Sequence, residues 1–207
     1  MGGSAGRDVA RIYDRLGSGY DRLSGLLDRM AVNRMRADLL SHARGDVLEV
    51  AVGTGANLRR YPTGLRITGL DFSAKALAVA MERADAAGLD WAPVLGDAEA
   101  LPFADRSVDT VVCTLAGCTF AHPGAAFAEM RRVLRPAGRA LFLEHVRPAN
   151  RAGAAALGAI TPLTVAALGC HPDRDTVDTI RASGFVTSVL ERALRGLFVT
   201  VEATPAA

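Results

Sequence analysis

Apolar and polar positions change rhythm along this chain, and the changes mark its elements. Over 8–42, apolar residues recur at three- and four-residue spacing (Ile12, Leu16, then Leu23, Leu26, Leu27, Met30), which predicts helix interrupted at Gly17-Ser18-Gly19. After Gly45 the rhythm is that of buried strands. Val47-Leu48-Glu49-Val50-Ala51-Val52 is a short apolar run that stops at Gly53-Thr54-Gly55, as a strand entering a tight turn does. A short helix to Tyr61-Pro62, a strand over 66–71 and a helix from the cap residue Ser73 to Gly88 follow. Further strands are predicted over 91–95, 108–115, 139–145, 185–190 and 197–203, with helices over 123–134 and 173–182.

Strands alternating with helices predict an α/β fold in which a mostly parallel sheet is wound on both faces and ligands sit at the carboxyl ends of strands. The last two strand-like runs are separated by a short break at Arg195-Gly196, a hairpin signal, so one edge of the sheet should carry an antiparallel strand. No linker divides the chain. It reads as one domain over 1–207: a helical cover (8–42), a core (45–145), an apolar insertion (147–172), and a closing helix and hairpin (173–203).

Composition sharpens this picture in two places. Half of the 207 residues are hydrophobic, ample for a buried core, and 24 basic against 22 acidic residues leave a net charge of +2. Lys75 is the only lysine; the arginines that make up the rest alternate with acids, as in Arg11–Asp14–Arg15, and aromatic residues are 5% of the chain. That pattern lacks the basic stripe and stacking residues of a nucleic-acid surface, so no nucleic-acid partner is expected. The N-terminus shows no apolar signal segment. Cys113, Cys118 and Cys170 form no CxxC pair, which favours a reducing, cytoplasmic compartment and argues against a zinc site. Ala152 to Cys170 is uncharged but interrupted by Gly153, Gly158, Pro162 and Gly169; it reads as an apolar cover, a membrane-touching segment or a helix packed on the sheet.

Candidate chemistry gathers at three successive strand ends. Gly53 and Gly55 permit a tight turn and a close approach of ligand to backbone. Asp71, ending the second strand, is placed to accept from both hydroxyls of a ribose, or else helps to cap the helix after Ser73. Asp97, after the third strand, is placed to accept from an adenine amino group, or is simply a turn residue. A nicotinamide dinucleotide is disfavoured because Leu58 stands where a third glycine is needed, and because Glu49 would repel a pyrophosphate. A carboxylate there suits a cationic ammonium or sulfonium, and this selects S-adenosylmethionine.

The runs Val47–Gly55, Gly69-Leu70-Asp71-Phe72-Ser73, Gly96–Phe103 and Ala128–Gly138, in this order, resemble the class I S-adenosylmethionine-dependent methyltransferases. The chain looks most like the branch of ubiquinone/menaquinone C-methyltransferases, phospholipid N-methyltransferases and methyltransferase-like thiol S-methyltransferases. Glu144-His145-Val146 and Gly169-Cys170-His171 resemble the thiol and lipid enzymes. The resemblance implies a Rossmann-like, doubly wound seven-stranded sheet with one antiparallel edge strand. It also implies that Glu49, Gly53 and Gly55 line the methionine end of the cofactor and that Asp71 holds the ribose. Phe72 would lie against the adenine, Asp97-Ala98 would read its edge, the Thr114 carbonyl would face the amino group, and Tyr20 would close over the site. Ala51 departs from the family, which usually has glycine at that position.

Methyl transfer from a sulfonium is an in-line displacement whose main requirement is alignment. A base is needed only where the acceptor must lose a proton. His145 is the first candidate and His171 a second, with Glu144 and His122 also at strand ends. His122 is otherwise a helix-start residue and His171 a turn residue. Neither Cys113 nor Cys118 has a basic sequence neighbour to activate it. The apolar insertion points to a small apolar acceptor, a thiol, a quinone-like ring or a lipid; the resemblance of the two tripeptides puts the thiol first, with a quinone-like ring or a phospholipid amine as the alternatives. Two other readings stay open, an S-adenosylmethionine-binding protein without transfer and a dehydrogenase.

Overall fold

A computed structural model describes residues 26–148 and 150–206 of the chain. Tyr20 and the 8–25 part of the expected N-terminal helix lie outside the described residues. The described chain opens with helix α1 (Leu26–Leu40) and runs through β1 (Asp46–Val50), β2 (Arg66–Asp71), α2 (Ala74–Ala87), β3 (Trp91–Leu95) and β4 (Val108–Thr114). It continues with α3 (Pro123–Val133), β5 (Leu134–His145), α4 (Arg151–Leu168), α5 (Thr176–Ala182), β6 (Phe185–Ala193) and β7 (Phe198–Pro205). The sheet order is β3-β2-β1-β4-β5-β7-β6. The first five strands pair in parallel, and β7 runs antiparallel to both β5 and β6. The hairpin therefore delivers the reversed strand one place in from the edge, between β5 and β6.

Strand alternation divides the core into two layers. Leu48, Val50, Val111, Cys113 and Phe142 pack toward α3 and α5, where Phe127 meets Phe142 edge-on at 5.5 Å. Val47, Val112, Leu141 and Leu143 pack on the other face with Met35 and Leu39 of α1. Glu49 shares parity with Val47, so it projects toward the α1 face.

Local chemistry sets the boundaries. Ser73 accepts from the Ala76 N–H at 3.2 Å and Gly88 closes α2 in the left-handed conformation, as expected of both residues. The expected short helix before Tyr61 is one 3-10 turn, Leu58–Arg60. β5 starts at Leu134 rather than 139, because a bulge at Val108/Thr110 lets Leu134 pair with Val108 ahead of the regular ladder. The apolar insertion is helix α4, capped by Asn150 on the Gly153 N–H and by Gly169 at φ +64. None of the described α4 side chains is buried, and Ile160 and Leu163 are largely exposed, so it is not a helix packed on the sheet. Among the described residues no helix is long and apolar enough to cross a membrane.

Candidate functional site

The β1–α2 corner builds its site around a buried carboxylate. Glu49 Oε1 accepts from Asn57 Nδ2 at 2.8 Å and Oε2 accepts from the Tyr61 hydroxyl at 2.7 Å. Burial pushes its carboxyl up to about 7 against the pull of these two bonds. Arg36 of α1 comes in from the same face. Its guanidinium donates to Asn57 Oδ1 at 2.6 Å and to Thr114 Oγ1 at 2.8 Å. A carboxylate and a guanidinium thus flank one amide at the mouth of the glycine turn. That is the charge complement of an α-amino acid: Glu49 for an ammonium, Arg36 for a carboxylate.

The turn itself is strained in one place. Ala51 sits at φ +57, the left-handed region that glycine adopts without cost. The departure from the family pattern is therefore a conformational load more than a clash. Ala51→Gly is expected to raise stability by about 0.5–1 kcal/mol, part of the relief being offset by the more flexible unfolded chain, as read from denaturant midpoints. Gly53 and Gly55 have different reasons to be glycine. A Cβ on Gly53 would meet nothing within 4 Å, so it borders open space, as expected for a residue a ligand approaches. A Cβ on Gly55 would lie 2.5 Å from Leu58 Cδ1 and 3.3 Å from the Ala80 backbone, so its role in the fold is to let α2 pack close.

Asp71 locks this turn to β2. Its Oδ2 accepts from the Gly53 N–H at 2.8 Å and its Oδ1 from the Ser73 N–H at 2.9 Å. Asp71, Phe72, Asp97 and Ala98 then line one cleft with Ala51, Thr119 and Phe120. Four of the five adenosine-side residues expected from sequence are thus brought together, and Thr114 does not line this cleft. Asp97 also accepts from the Glu99 N–H at 2.9 Å, the turn role set beside the adenine role. The Thr114 side chain is committed to Arg36 and Asn57.

The second group of candidate residues lies beyond β4 and β5. Leu115 turns in the left-handed region at φ +55, and the Ala116 and Gly117 N–H groups then donate to Glu144 Oε1 at 3.3 and 3.0 Å. Burial pushes Glu144 up to about 7, and its Oε2 is buried without a hydrogen-bond partner among the described residues. His145 Nε2 lies 3.3 Å from Cys170 Sγ, which lies 3.3 Å from Cys118 Sγ. Burial works against a charge on His145, but the neighbouring Cys170 sulfur leaves its pKa raised. The Cys118 contact and His145 push the Cys170 thiol down despite burial, while Cys118 is pushed up. His171 uses its backbone N–H to hold the Cys118 carbonyl at 3.0 Å, and burial next to Arg174 lowers its pKa. His122 is exposed and paired with Glu99 through Nδ1 at 2.8 Å, the helix-start reading.

Sequence reasoning did not single out Arg36, Asn57, Tyr61 or the meeting of Cys118 with Cys170. The first three lie within hydrogen-bond reach of the Glu49 cluster but on a different helix or past the turn. The cysteines are 52 positions apart, beyond any local spacing rule.

Residues 48–142 match the methyltransferase domain family. The chain is 35% identical over 155 residues to a demethylmenaquinone methyltransferase of Thermotoga maritima, covering 72% of this chain and 66% of that protein. It is 36% identical over 140 residues to a phosphatidylethanolamine N-methyltransferase of Cereibacter sphaeroides, covering 66% of this chain and 68% of the relative. The chain therefore spans just under two thirds of the length of the first of these relatives. Its fold superimposes with a TM-score of 0.70 on geranyl diphosphate C-methyltransferase from Streptomyces coelicolor, at 15% identity and over the full length of both chains.

Proposed function

The chain belongs to the S-adenosylmethionine-dependent methyltransferases, and from that premise we propose that it transfers a methyl group to a small, lipid-like apolar acceptor. The observation that carries the cofactor half is the pairing of buried Glu49 with Arg36 across Asn57, which complements the amino-acid end of S-adenosylmethionine. Glu49 would hold the ammonium and Arg36 the carboxylate. Asp71 would take the ribose hydroxyls, with Phe72, Asp97 and Ala98 around the adenine. The cofactor supplies an electrophilic methyl on a sulfonium. The protein's part is to fix that end in a buried electrostatic frame and to shield the acceptor from water.

For the acceptor we favour a reduced quinone-like ring, in keeping with the demethylmenaquinone relative. The thiol expected from two tripeptides draws no support from that relative or from the phosphatidylethanolamine one. A second reading, a phospholipid amine, is favoured by a cavity of about 930 Å³ beside α4. Among the described residues, Arg147, Arg151, Arg181 and Arg192 line it with Asp175 and Asp178, next to the apolar Ala154, Ala155 and Val177. That mixture suits a phosphate with an attached acyl chain. His145 is the histidine we would place beside the acceptor.

The test is turnover. Purified protein given S-adenosylmethionine and, separately, a short-chain menaquinol precursor, phosphatidylethanolamine micelles and an aryl thiol should release S-adenosylhomocysteine with the quinol. Release with phosphatidylethanolamine alone would select the second reading. Release with the thiol alone would restore the sequence-based acceptor. Tight cofactor binding with no release from any of the three would favour a protein that binds without transferring.

A further inference from the structure

We propose that Cys118, His145 and Cys170 form a binding site for a thiophilic divalent cation, zinc by the nature and number of its ligands. The three residues come from the loop after β4, the end of β5 and the segment after α4, and one ligand atom from each lies within 4.8 Å of the others. The two sulfurs are 3.3 Å apart, far longer than a covalent disulfide of about 2.05 Å. Cys170 Sγ and His145 Nε2 are also 3.3 Å apart. A tetrahedral zinc ion with Zn–S near 2.3 Å and Zn–N near 2.0 Å needs edges of about 3.8 Å between sulfurs and about 3.5 Å from sulfur to nitrogen. Opening these two edges by a few tenths of an ångström, with Cys118 Sγ and His145 Nε2 already within 4.8 Å of each other, would bring the group to the spacing of a zinc site.

The backbone around the ligands is already fixed, without help from the thiols. The Cys118 carbonyl accepts from the His171 N–H at 3.0 Å and from the Arg174 guanidinium at 3.3 Å. The Cys170 carbonyl accepts from the Thr164 hydroxyl at 3.0 Å. The His145 ring packs edge-on against Phe198. Such anchoring preorganises the backbone that carries the ligands, while His145 Nδ1 is buried without a hydrogen-bond partner among the described residues. Two thiolates offset the charge of a divalent ion, and the half-buried positions of Cys170 and His145 leave a way in. Three protein ligands also leave a fourth position open, the arrangement of zinc sites that bind water or a substrate atom. The lack of a CxxC pair, which spoke against zinc in the sequence, concerns local motifs; this site is assembled by the fold.

The experiment is a cobalt titration of chelator-treated, reduced protein under argon. One equivalent should bind with the intense visible bands of tetrahedral cobalt and a sulfur-to-cobalt charge-transfer band, and zinc should displace it. Cys118→Ser and Cys170→Ser should each lose the charge-transfer band or weaken binding at least about tenfold, whereas His122→Gln should change neither. Far-ultraviolet circular dichroism shows whether each serine variant has folded. A second measurement needs no variant: in the wild-type protein, zinc should block alkylation of Cys170 by iodoacetamide. A pale octahedral cobalt spectrum, a charge-transfer band that survives in the double serine variant, or alkylation that zinc does not slow would each overturn the proposal. These readouts do not involve methyl transfer, so the metal site can fail while the proposed function stands, and the reverse.

Discussion

Replacing Glu49 by glutamine is expected to weaken S-adenosylmethionine binding by about 10- to 100-fold while stabilising the ligand-free protein at pH 8. The two effects have one cause. In the folded chain the carboxyl is pushed up to about 7, from an ordinary value of 4.5, by burial that its bonds to Tyr61 and Asn57 only partly offset. The folded protein thus holds one more proton than the unfolded chain between about 4.5 and about 7. A carboxyl raised in this way supports stability below 4.5, and that support is lost as pH rises through the window. Glutamine never ionises, and it can still accept from Asn57 and donate to the Tyr61 hydroxyl. The variant should therefore melt with the wild type at pH 4 and above it at pH 8, by up to about 3 kcal/mol.

Cofactor binding runs the other way. An ammonium needs the ionised carboxylate, so wild-type affinity should fall as pH drops below 7, by up to about tenfold per unit. By about pH 8 the amino group of the cofactor has itself lost about half of its proton, so the acid limb is read below about 7. Isothermal titration from pH 5 to 8 should give a sloping acid limb for the wild type and a flat one for Glu49→Gln. A variant that binds as tightly as the wild type and keeps its slope would remove Glu49 from the cofactor site.

How much of this was legible depended on sequence distance. The strand–turn–helix at 47–58 and the acids at 71 and 97 announce themselves because each is local: an apolar run, a glycine pair, a carboxylate at the end of a strand. The fold then brings Asp71 and Asp97 into one cleft, as parallel strands ending side by side must. Arg36 was hidden because its value depends on α1 lying against the face to which Glu49 points, a packing fact with no motif. The Cys118–His145–Cys170 group was hidden for the same reason, since its members come from three separate segments. Helix α4 was ambiguous because Gly153, Gly158 and Pro162 weaken a helical reading of an apolar run, although Asn150 and Gly169 already stood at its two ends as caps. The 139 boundary missed five residues of β5 because Pro136 and Gly138 read as a stop, while a bulge lets the strand pass through them.

The same locality makes Asp71 the sharpest probe of the adenosine side. Asp71→Ala is expected to lower cofactor affinity about 100-fold, through two losses that can be separated. One is structural. The carboxylate accepts from the half-buried turn at Gly53 and from the buried Ser73 N–H, and alanine leaves both N–H groups without that acceptor, at about 1–3 kcal/mol for the buried one and less for Gly53. Gly53, held at φ +56 while its N–H points at Asp71, would be freer to relax, and the turn with it. The other loss is the proposed acceptor for the ribose hydroxyls. A comparison of S-adenosylhomocysteine with its 2′-deoxy analogue distinguishes them, because only the second loss depends on the hydroxyl. In the wild type the deoxy analogue should bind about tenfold more weakly, one charge-assisted hydrogen bond having gone. In Asp71→Ala the two ligands should bind alike, each weakened by the slackened turn. If the hydroxyl counts as much in the variant as in the wild type, Asp71 acts on the cofactor only through the turn, and the ribose is held by another group.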